Sequence, residues 1–393
     1  MRILYSDILF PLDQDPIPKG MLVLSDDGRV MDIVMPESNN YAIEHAEFFS
    51  GALVPGFVNA HCHIELSHLQ GKVGQHTMLD GFLEKLMQVR AASQDEIIEA
   101  AQNADTYLYN SGCIAVGDIS NGSSSFGIKA KSKILYHTFV ELFGLSADVA
   151  STSLTHGEKL LNQLKTFGLE GTITPHAPYS VSDILFTKLI EQSRETGNTL
   201  SIHHQESESE KEFFISGTGP IEERLKKMKI SAQGFKMFGE SSAKWISSHI
   251  HPNQKIMLVH NTFTEANDVD SIQQKTQNAW FCLCPKANMY ISNRLPDLEM
   301  LREKKCQLTL GTDSLASNNS LDMLDEMRTI QTIYPAIELN EILQWASLNG
   351  AKALGLDHKL GSFTIGKRPG IVHISEINPN KLLILPQSEA RML

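Results

Sequence analysis

The stretch "VPGFVNAHCHIELSH", residues 54–68, joins an apolar run directly to two closely spaced histidines. Side chains alternate along a strand, so His61 and His63 would project to one face and Cys62 to the other. In a (β/α)8 barrel that face can be the interior at the carboxyl ends of the strands, where catalytic groups lie. The two imidazoles are therefore candidate ligands of one metal ion, although an H-x-H pattern alone is a weak motif.

The middle of the chain alternates apolar runs with helical segments. One helix opens with the capping box of Ser93 and Glu96, and another runs from Ser182 to Gly197. The apolar runs are "GALVPGFVNAH", "CIAVGDIS", "KILYHTFVELFG", "GTITPHAP", "TLSIHH", "KIMLVHN", "NAWFCLCP" and "LTLGTD". Runs that are apolar almost throughout are typical of parallel strands buried on both faces. We therefore predict an α/β fold with a (β/α)8 TIM barrel. The alternative is an open doubly wound sheet, but the first strand lacks its Gly-rich fingerprint.

Both ends of the chain are β-rich and punctuated by turns. Residues 1–50 carry a hairpin signal at residues 26–28, and residues 360–386 have the same character. Because chain termini often lie close together, we predict a small β-sandwich domain built from both ends. The predicted domains are residues 1–52 and 357–393 for the two parts of the sandwich and 53–356 for the barrel.

One connection in the predicted barrel is much longer than the others. Residues 206–251 exceed the usual strand–helix loop of about 2–6 residues plus a helix. Two ordinary surface helices and a lid over the barrel mouth explain this length equally well.

Composition narrows the class of protein. The 393 residues are 41% hydrophobic, which is enough for a substantial core, and the net charge of −12 argues against binding to nucleic acid. Five irregularly spaced cysteines indicate buried, reduced thiols. The amino terminus lacks the parts of a signal peptide, and no run reaches the roughly 18 apolar residues of a membrane span. We expect a cytoplasmic protein that does not contact a membrane.

Several other predicted strands also end in side chains that can bind a metal or move a proton. A lone histidine at such a place is more often a satisfied core residue than a ligand. Polar groups at the ends of apolar strands cost free energy unless they have partners, and a shared metal and substrate would supply partners to all of them. The residues in question are His176, His203, His204, Glu206, His260 and Asp313.

The motifs resemble those of the amidohydrolase superfamily, and within it the mononuclear deaminase/chlorohydrolase group. The fragments "NAHCHIELS", "FLEKLMQVR", "HAPYSVS" and "GTDSLASNNSLDMLDEMR" are most similar to aminodeoxyfutalosine deaminases and their relatives. The resemblance implies one metal ion held by His61, His63, His203 and Asp313. The H-x-x-E spacing favours His203 over His204 as the third histidine.

The resemblance also implies the roles of residues beyond the metal ligands. His260 would contact the water that the metal activates, and Glu206 would shuttle protons to the leaving group. His176 would contact the substrate, with Arg90, Asn288 and Ser314 as further candidate contacts.

Two departures from the family pattern bear on the chemistry. Binuclear members use a carboxylated lysine at the end of the fourth strand, and "GTITPHAP" has none, so one metal is favoured. Members that act on adenosine-type nucleosides place a glutamate after a "WL" segment to bind ribose. Here Phe82 replaces the tryptophan and Arg90 lies near that site, which counts against adenosine and S-adenosylhomocysteine as substrates.

The donor set suits Zn²⁺ and could also hold Fe²⁺. A bound metal lowers the pKa of water from about 15.7 to roughly 7, so hydroxide becomes available at neutral pH. We predict a hydrolytic deaminase that releases ammonia from a small aminated heterocycle, such as aminodeoxyfutalosine. The alternatives are a chlorohydrolase or cyclic amidohydrolase with the same chemistry, and a non-catalytic metal-binding barrel. The resemblance allows a homo-oligomer, but the sequence does not choose an oligomeric state.

Overall fold

The computed structural model describes residues 1–35, 46–230, 239–378 and 381–393. The strands are β1 (Arg2–Leu9), β2 (Ile17–Pro18), β3 (Met21–Leu24), β4 (Val30–Val34), β5 (Glu47–Pro55), β6 (Phe57–Cys62), β7 (Cys113–Ser120), β8 (Leu135–Leu142), β9 (Glu170–Pro175), β10 (Leu200–His204), β11 (Ile256–His260), β12 (Ala279–Leu283), β13 (Gln307–Leu310), β14 (Ile371–Ile374), β15 (Ile377–Asn378), β16 (Leu383–Ile384) and β17 (Ala390–Met392). The helices are α1 (Met78–Val89), α2 (Gln94–Asn110), α3 (Phe126–Lys129), α4 (Ala147–Thr166), α5 (Asp183–Thr196), α6 (Glu208–Ser216), α7 (Pro220–Lys227), α8 (Ser242–His249), α9 (Ala266–Lys275), α10 (Pro285–Ser292), α11 (Leu298–Glu303), α12 (Met323–Ile333), α13 (Leu339–Gln344) and α14 (Gly350–Ala353). Among these residues, no helix has both the length and the apolar character needed to cross a lipid bilayer.

Strands from the two ends of the chain share one seven-stranded mixed sheet. Its order is β17-β14-β5-β1-β3-β4, with β2 paired to β1 beside this path. The predicted hairpin is confirmed, because β3 and β4 pair antiparallel and Gly28 between them takes a φ of 78°. The termini therefore pair as predicted. Outside this sheet, the described residues of the two terminal regions add only the short pair β15 and β16, so the predicted sandwich of two packed sheets is not confirmed.

All eight strands predicted for the central region are present. They form two four-stranded parallel sheets, with the orders β6-β7-β8-β9 and β10-β11-β12-β13. Every residue of β6, β10 and β11 is buried, as expected for parallel strands covered on both faces. The first predicted run divides at Gly56, since β5 belongs to the terminal sheet and β6 to the central region.

The two parallel sheets approach each other at both edges. At one edge the backbone N–H of Asp313 donates to the carbonyl oxygen of His61 at 3.1 Å, and at the other His203 donates to His176 at 2.8 Å. A Cβ on Gly311 would lie 2.7 Å from the His61 carbonyl oxygen, so the first approach requires glycine. The strand ladder is not continuous across either junction among the residues described. The fold is thus a mixed α/β fold with parallel sheets.

The helices begin and end where the sequence predicts. In α2, Ser93 Oγ accepts from the backbone N–H of Glu96 at 3.3 Å, and Glu96 Oε2 accepts from that of Ser93 at 2.9 Å. Helix α5 begins after Ser182, whose Oγ accepts a hydrogen bond from the N–H of Leu185, and stops at Gly197 with a φ of 69°. These local signals end each helix near the sheet and so return the chain to the next strand.

Candidate active site

Ring nitrogens of His61 and His63 converge at the carboxyl end of β6. Their Nε2 atoms are 3.1 Å apart, and Asp313 Oδ1 lies 3.7 Å from the first and 3.3 Å from the second. All three side chains are buried, and burial lowers the pKa of both imidazoles. Burial therefore favours neutral rings, and the two ring nitrogens and the carboxylate oxygen lie close enough together to bind one divalent cation.

Two residues of the site have strained backbone conformations. Asp313, after β13, has a φ of 56°, and His260, at the end of β11, has a φ of 76°. A left-handed conformation in a residue other than glycine costs on the order of 1–3 kcal/mol and is often found at functional sites.

The carboxylate of Asp313 is held by a hydrogen bond and by neighbouring histidines. Ser317 Oγ donates to Asp313 Oδ2 at 2.5 Å. Although burial opposes ionisation, the neighbouring histidines hold the pKa of Asp313 below its usual range, so it remains a carboxylate.

The structure distinguishes the two adjacent histidines of β10. The ring centroid of His203 lies 4.8 Å from that of His61 and 5.4 Å from that of His260. His204 points elsewhere, with its Nδ1 3.0 Å from Asn261 Oδ1. Because side chains alternate along a strand, only His203 faces the cluster.

Glu206 lies next to His260 at the edge of this cluster. Glu206 Oε1 is 3.6 Å from His260 Nε2, and burial raises the pKa of the Glu206 carboxyl. Asn288 Oδ1 lies 2.9 Å from His260 Nδ1, and Asn288 Nδ2 donates to Thr262 Oγ1. The amide therefore accepts a hydrogen bond from His260 Nδ1 and leaves Nε2 facing Glu206. Asn288 thus lies behind His260 and is not among the side chains that line the chamber described next.

The histidine cluster forms the floor of a chamber of about 670 Å³. Three of the predicted substrate contacts line it: His176, Arg90 and Ser314. His176 Nδ1 lies 2.9 Å from Ser180 Oγ, and its ring centroid is 4.7 Å from that of His203. Arg90 lies at the exposed rim, whereas Ser314 is buried beside Asp313. A bound molecule would meet the floor and the rim at the same time.

The outer walls of the chamber are apolar and come from helices. Helix α1 contributes leucines and a methionine, and α7 contributes isoleucine and leucine side chains. The long connection at residues 206–251 contains α6, α7 and α8, and residues 231–238 lie outside the described part of the chain. This connection therefore supplies a wall of the chamber, and whether it also moves as a lid stays open.

Sequence reasoning missed Glu141, which also lines the chamber. This carboxylate is buried near the end of β8, and its Oε1 lies 3.3 Å from His203 Nδ1. Asn121 Nδ2 donates to Glu141 Oε2 at 2.9 Å. Burial alone would lower the pKa of His203, but Glu141 beside it holds that pKa above its usual value. Glu141 stands alone in an apolar run, and no motif signals its contact with His203.

A second missed pair supports the turn that follows the two histidines of β6. Lys129 Nζ and Asp118 Oδ2 are 2.5 Å apart, and both side chains are fully buried. Asp118 Oδ1 accepts a hydrogen bond from the backbone N–H of Ile64 at 2.8 Å, directly after His63. This ion pair thus fixes the backbone next to His63 without contacting the histidine side chain.

Two overlapping groups of donors can hold one metal ion. In each group, the ligand atoms lie within 4.8 Å of one another. The groups are His61, His63 and Asp313, and His61, His203 and His260. They share His61, so the four residues predicted as ligands and His260 surround one region.

Comparisons with known proteins show which family the chain resembles. The amidohydrolase family model matches residues 52–387. An adenosine deaminase of Helicobacter pylori is 29% identical over 358 residues, which is 88% of this chain and 86% of that protein. An aminodeoxyfutalosine deaminase of Nitratiruptor sp. is 27% identical over 342 residues, 84% of this chain and 79% of that protein.

A solved structure shares the fold over the full length. Helicobacter pylori aminofutalosine deaminase in complex with methylthio-coformycin matches with a TM-score of 0.86 and 24% identity. The match covers 100% of this chain and 97% of that chain. Since the family model also spans most of the sequence, the chain belongs to the amidohydrolase family.

Proposed function

We propose that this chain is a metal-dependent hydrolytic deaminase that releases ammonia from an aminated heterocycle. The observation that carries the proposal is the convergence of His61, His63, His203 and Asp313 on the chamber floor, beside Glu206 and His260. The two relatives at 27–29% identity are a deaminase of adenosine and one of aminodeoxyfutalosine, which supports a purine-type substrate. We expect the enzyme to act in the cytoplasm on a small molecule.

A (β/α)8 barrel would place these groups at one rim. The two parallel sheets approach at both edges and share a buried cluster that includes Phe139 of β8, Met257 of β11 and Cys282 of β12. Side chains from alternate strands fill the interior of such barrels in this way. Residues 53–356 would form the barrel, and residues 1–52 and 357–393 the terminal β-domain.

The donor set fits a metal ion. His61 and His63 offer ring nitrogens 3.1 Å apart, and Asp313 offers a carboxylate oxygen 3.7 and 3.3 Å from them. We assign His61, His63, His203 and Asp313 as the ligands, with Zn²⁺ favoured over Fe²⁺ because nitrogen and carboxylate ligands suit zinc. When bound, such an ion makes water a stronger acid and so a nucleophile is available near neutral pH.

Side chains of the protein would then transfer the protons that the reaction requires. Asp313 accepts the proton that water loses as its oxygen bonds to the ring carbon, and passes it to the leaving amino group. Burial raises the pKa of Glu206, which favours the protonated form that would donate to the adjacent ring nitrogen. The new hydroxyl returns a proton to Glu206 as the C–N bond breaks and ammonia leaves. His260, held by Asn288, orients the water and stabilises the developing charge.

The chamber would hold the rest of the substrate. His176 and Ser314 lie at its floor and Arg90 at its rim, so we assign these three as substrate contacts. The apolar walls from α1 and α7 would bury a group that takes no part in the reaction.

Ammonia release tests the proposal directly. The zinc-loaded protein would be assayed against a panel of aminated purines and pyrimidines, including adenosine and aminodeoxyfutalosine, with chloride release from chlorotriazines as a parallel assay. We expect ammonia from at least one purine and none with Glu206→Gln, which should still bind zinc. If no aminated compound released ammonia, or if chloride were the main product, the proposal would be contradicted.

A further inference from the structure

The surroundings of His203 fix which of its ring nitrogens carries hydrogen. Its Nδ1 lies 3.1 Å from the carbonyl oxygen of His176 and 3.3 Å from Glu141 Oε1. A carbonyl and a carboxylate only accept hydrogen bonds, so Nδ1 must be the nitrogen that bears hydrogen. The other nitrogen, Nε2, is left for the region shared with His61 and His260.

Glu141 is itself held in place. Its Oε2 accepts from Asn121 Nδ2 at 2.9 Å, and the backbone N–H of Asn121 donates to Glu65 Oε1 at 2.9 Å. Its Oε1 is buried and has no regular hydrogen bond among the residues described, and His203 Nδ1 is the donor beside it. Because a buried carboxylate oxygen is costly without a donor, this contact favours a single orientation of the imidazole.

We propose that Glu141 is a positioning residue that fixes the Nδ1–H form of His203, so that Nε2 presents its lone pair to the metal ion. This inference rests on the metal-ligand role proposed above for His203. Carboxylates that accept from the outer nitrogen of a ligating histidine set its orientation and raise its basicity. Asn121 acts one step further out by holding Glu141.

Two other roles for Glu141 compete with this one. It lines the chamber, so it could contact substrate directly. It also forms a third donor group with His176 and His203, within 4.8 Å of one another, so it could bind a second metal ion. Metal binding measured apart from turnover distinguishes the three roles.

The test is zinc affinity, measured by competition with a chromogenic chelator on metal-stripped protein. We expect the dissociation constant to rise about 10–100-fold in Glu141→Ala, and less in Glu141→Gln, which keeps one acceptor. Asn121→Ala, which leaves Glu141 in place, should raise it by a smaller factor. Glu206→Gln is the matched control, because it alters another chamber carboxyl without touching a ligand and should keep the wild-type affinity.

The visible spectrum of the Co²⁺-substituted protein tests whether Glu141 has a merely structural role. Visible absorption should shift in Glu141→Ala at saturating metal, and Glu141→Gln should recover part of the wild-type spectrum. Unchanged zinc affinity with a raised KM would overturn the inference in favour of a substrate contact. Loss of a second zinc equivalent would overturn it in favour of a second metal site. If the wild-type protein binds no zinc at all, the proposed function fails, and this inference fails with it.

Discussion

The floor and the walls of the chamber are built on different principles. The floor is a cluster of buried, charged or ionisable groups at strand ends, held by hydrogen bonds at 2.5–3.1 Å such as those of Asp313 with Ser317 and of His260 with Asn288. The walls are mostly apolar side chains from α1 and α7, which form no directional bonds. Changes to the floor should therefore alter chemistry, whereas changes to the walls should alter affinity.

The largest expected effect separates the adjacent histidines of β10. His203→Ala should lose bound zinc and at least about 10³-fold in turnover, since metal assistance supplies several kcal/mol of the barrier reduction. His204→Ala is the matched control, because His204 contacts Asn261 and not the cluster. It should keep its zinc, although it loses some stability. Metal analysis and steady-state kinetics check this pair, and equal zinc loss in both variants would contradict the assignment.

A buried carboxyl on α6 should make stability depend on pH. Glu210 is fully buried, and although Ser242 and the backbone of Gln205 lie beside its carboxyl, burial raises the pKa of Glu210 to about 7. A carboxyl whose pKa is raised in the folded state stabilises the fold below its unfolded pKa of about 4.3, and this contribution is lost as pH rises to about 7. The difference in unfolding free energy between Glu210→Gln and wild type should therefore shift in favour of the variant by on the order of 2–3 kcal/mol from pH 5 to pH 8.

Urea unfolding at the two pH values checks this prediction. Glu208→Gln is the matched control, because Glu208 is exposed on the same helix and should show no such gain. A Glu210→Gln gain that is the same at both pH values would rule out titration of this group as its source.

The raised pKa of Glu206 should appear in the pH–rate profile. As the proposed acid, Glu206 must be protonated, so kcat/KM should fall about tenfold per pH unit above its pKa. Because burial raises that pKa, the fall should begin above the usual glutamate value of about 4.3. The residual activity of Glu206→Gln should lack this fall of kcat/KM with rising pH, called the alkaline limb of the profile. If the limb persists in the variant, another group is responsible for it.

The walls should give the smallest effect. Leu225 of α7 lines the chamber, and Leu225→Ala should raise KM about 5–10-fold with little change in kcat, because it removes apolar contact common to the ground and transition states. Leu301 is a buried leucine that does not line the chamber, so Leu301→Ala should lower stability without raising KM. A fall in kcat alone for Leu225→Ala would contradict the division between floor and walls.

The sequence predicted the floor far better than the walls. Strand ends carry their donors in local motifs, and the H-x-H and H-x-x-E patterns pointed to His63 and His203, whose ring centroids lie 5.5 Å apart. Helix caps such as Ser93 and Gly197 also act locally and were confirmed.

What the sequence did not reveal depends on contacts between distant segments. Glu141 meets His203 only after β8 and β10 converge, and Lys129 meets Asp118 only after α3 packs against β7. The chamber walls likewise depend on where α1 and α7 pack, and no short sequence motif predicts these positions. Closure of the barrel and the sandwich of the terminal strands stay predictions.

We expect donors from distant segments of the chain to bind one divalent cation, which a crystal structure of the zinc-loaded protein would show. Data collected on both sides of the zinc absorption edge should give one anomalous peak within bonding distance, about 2.0–2.2 Å, of His61, His63, His203 and Asp313. A peak elsewhere, or none at these four side chains in fully loaded crystals, would contradict the account.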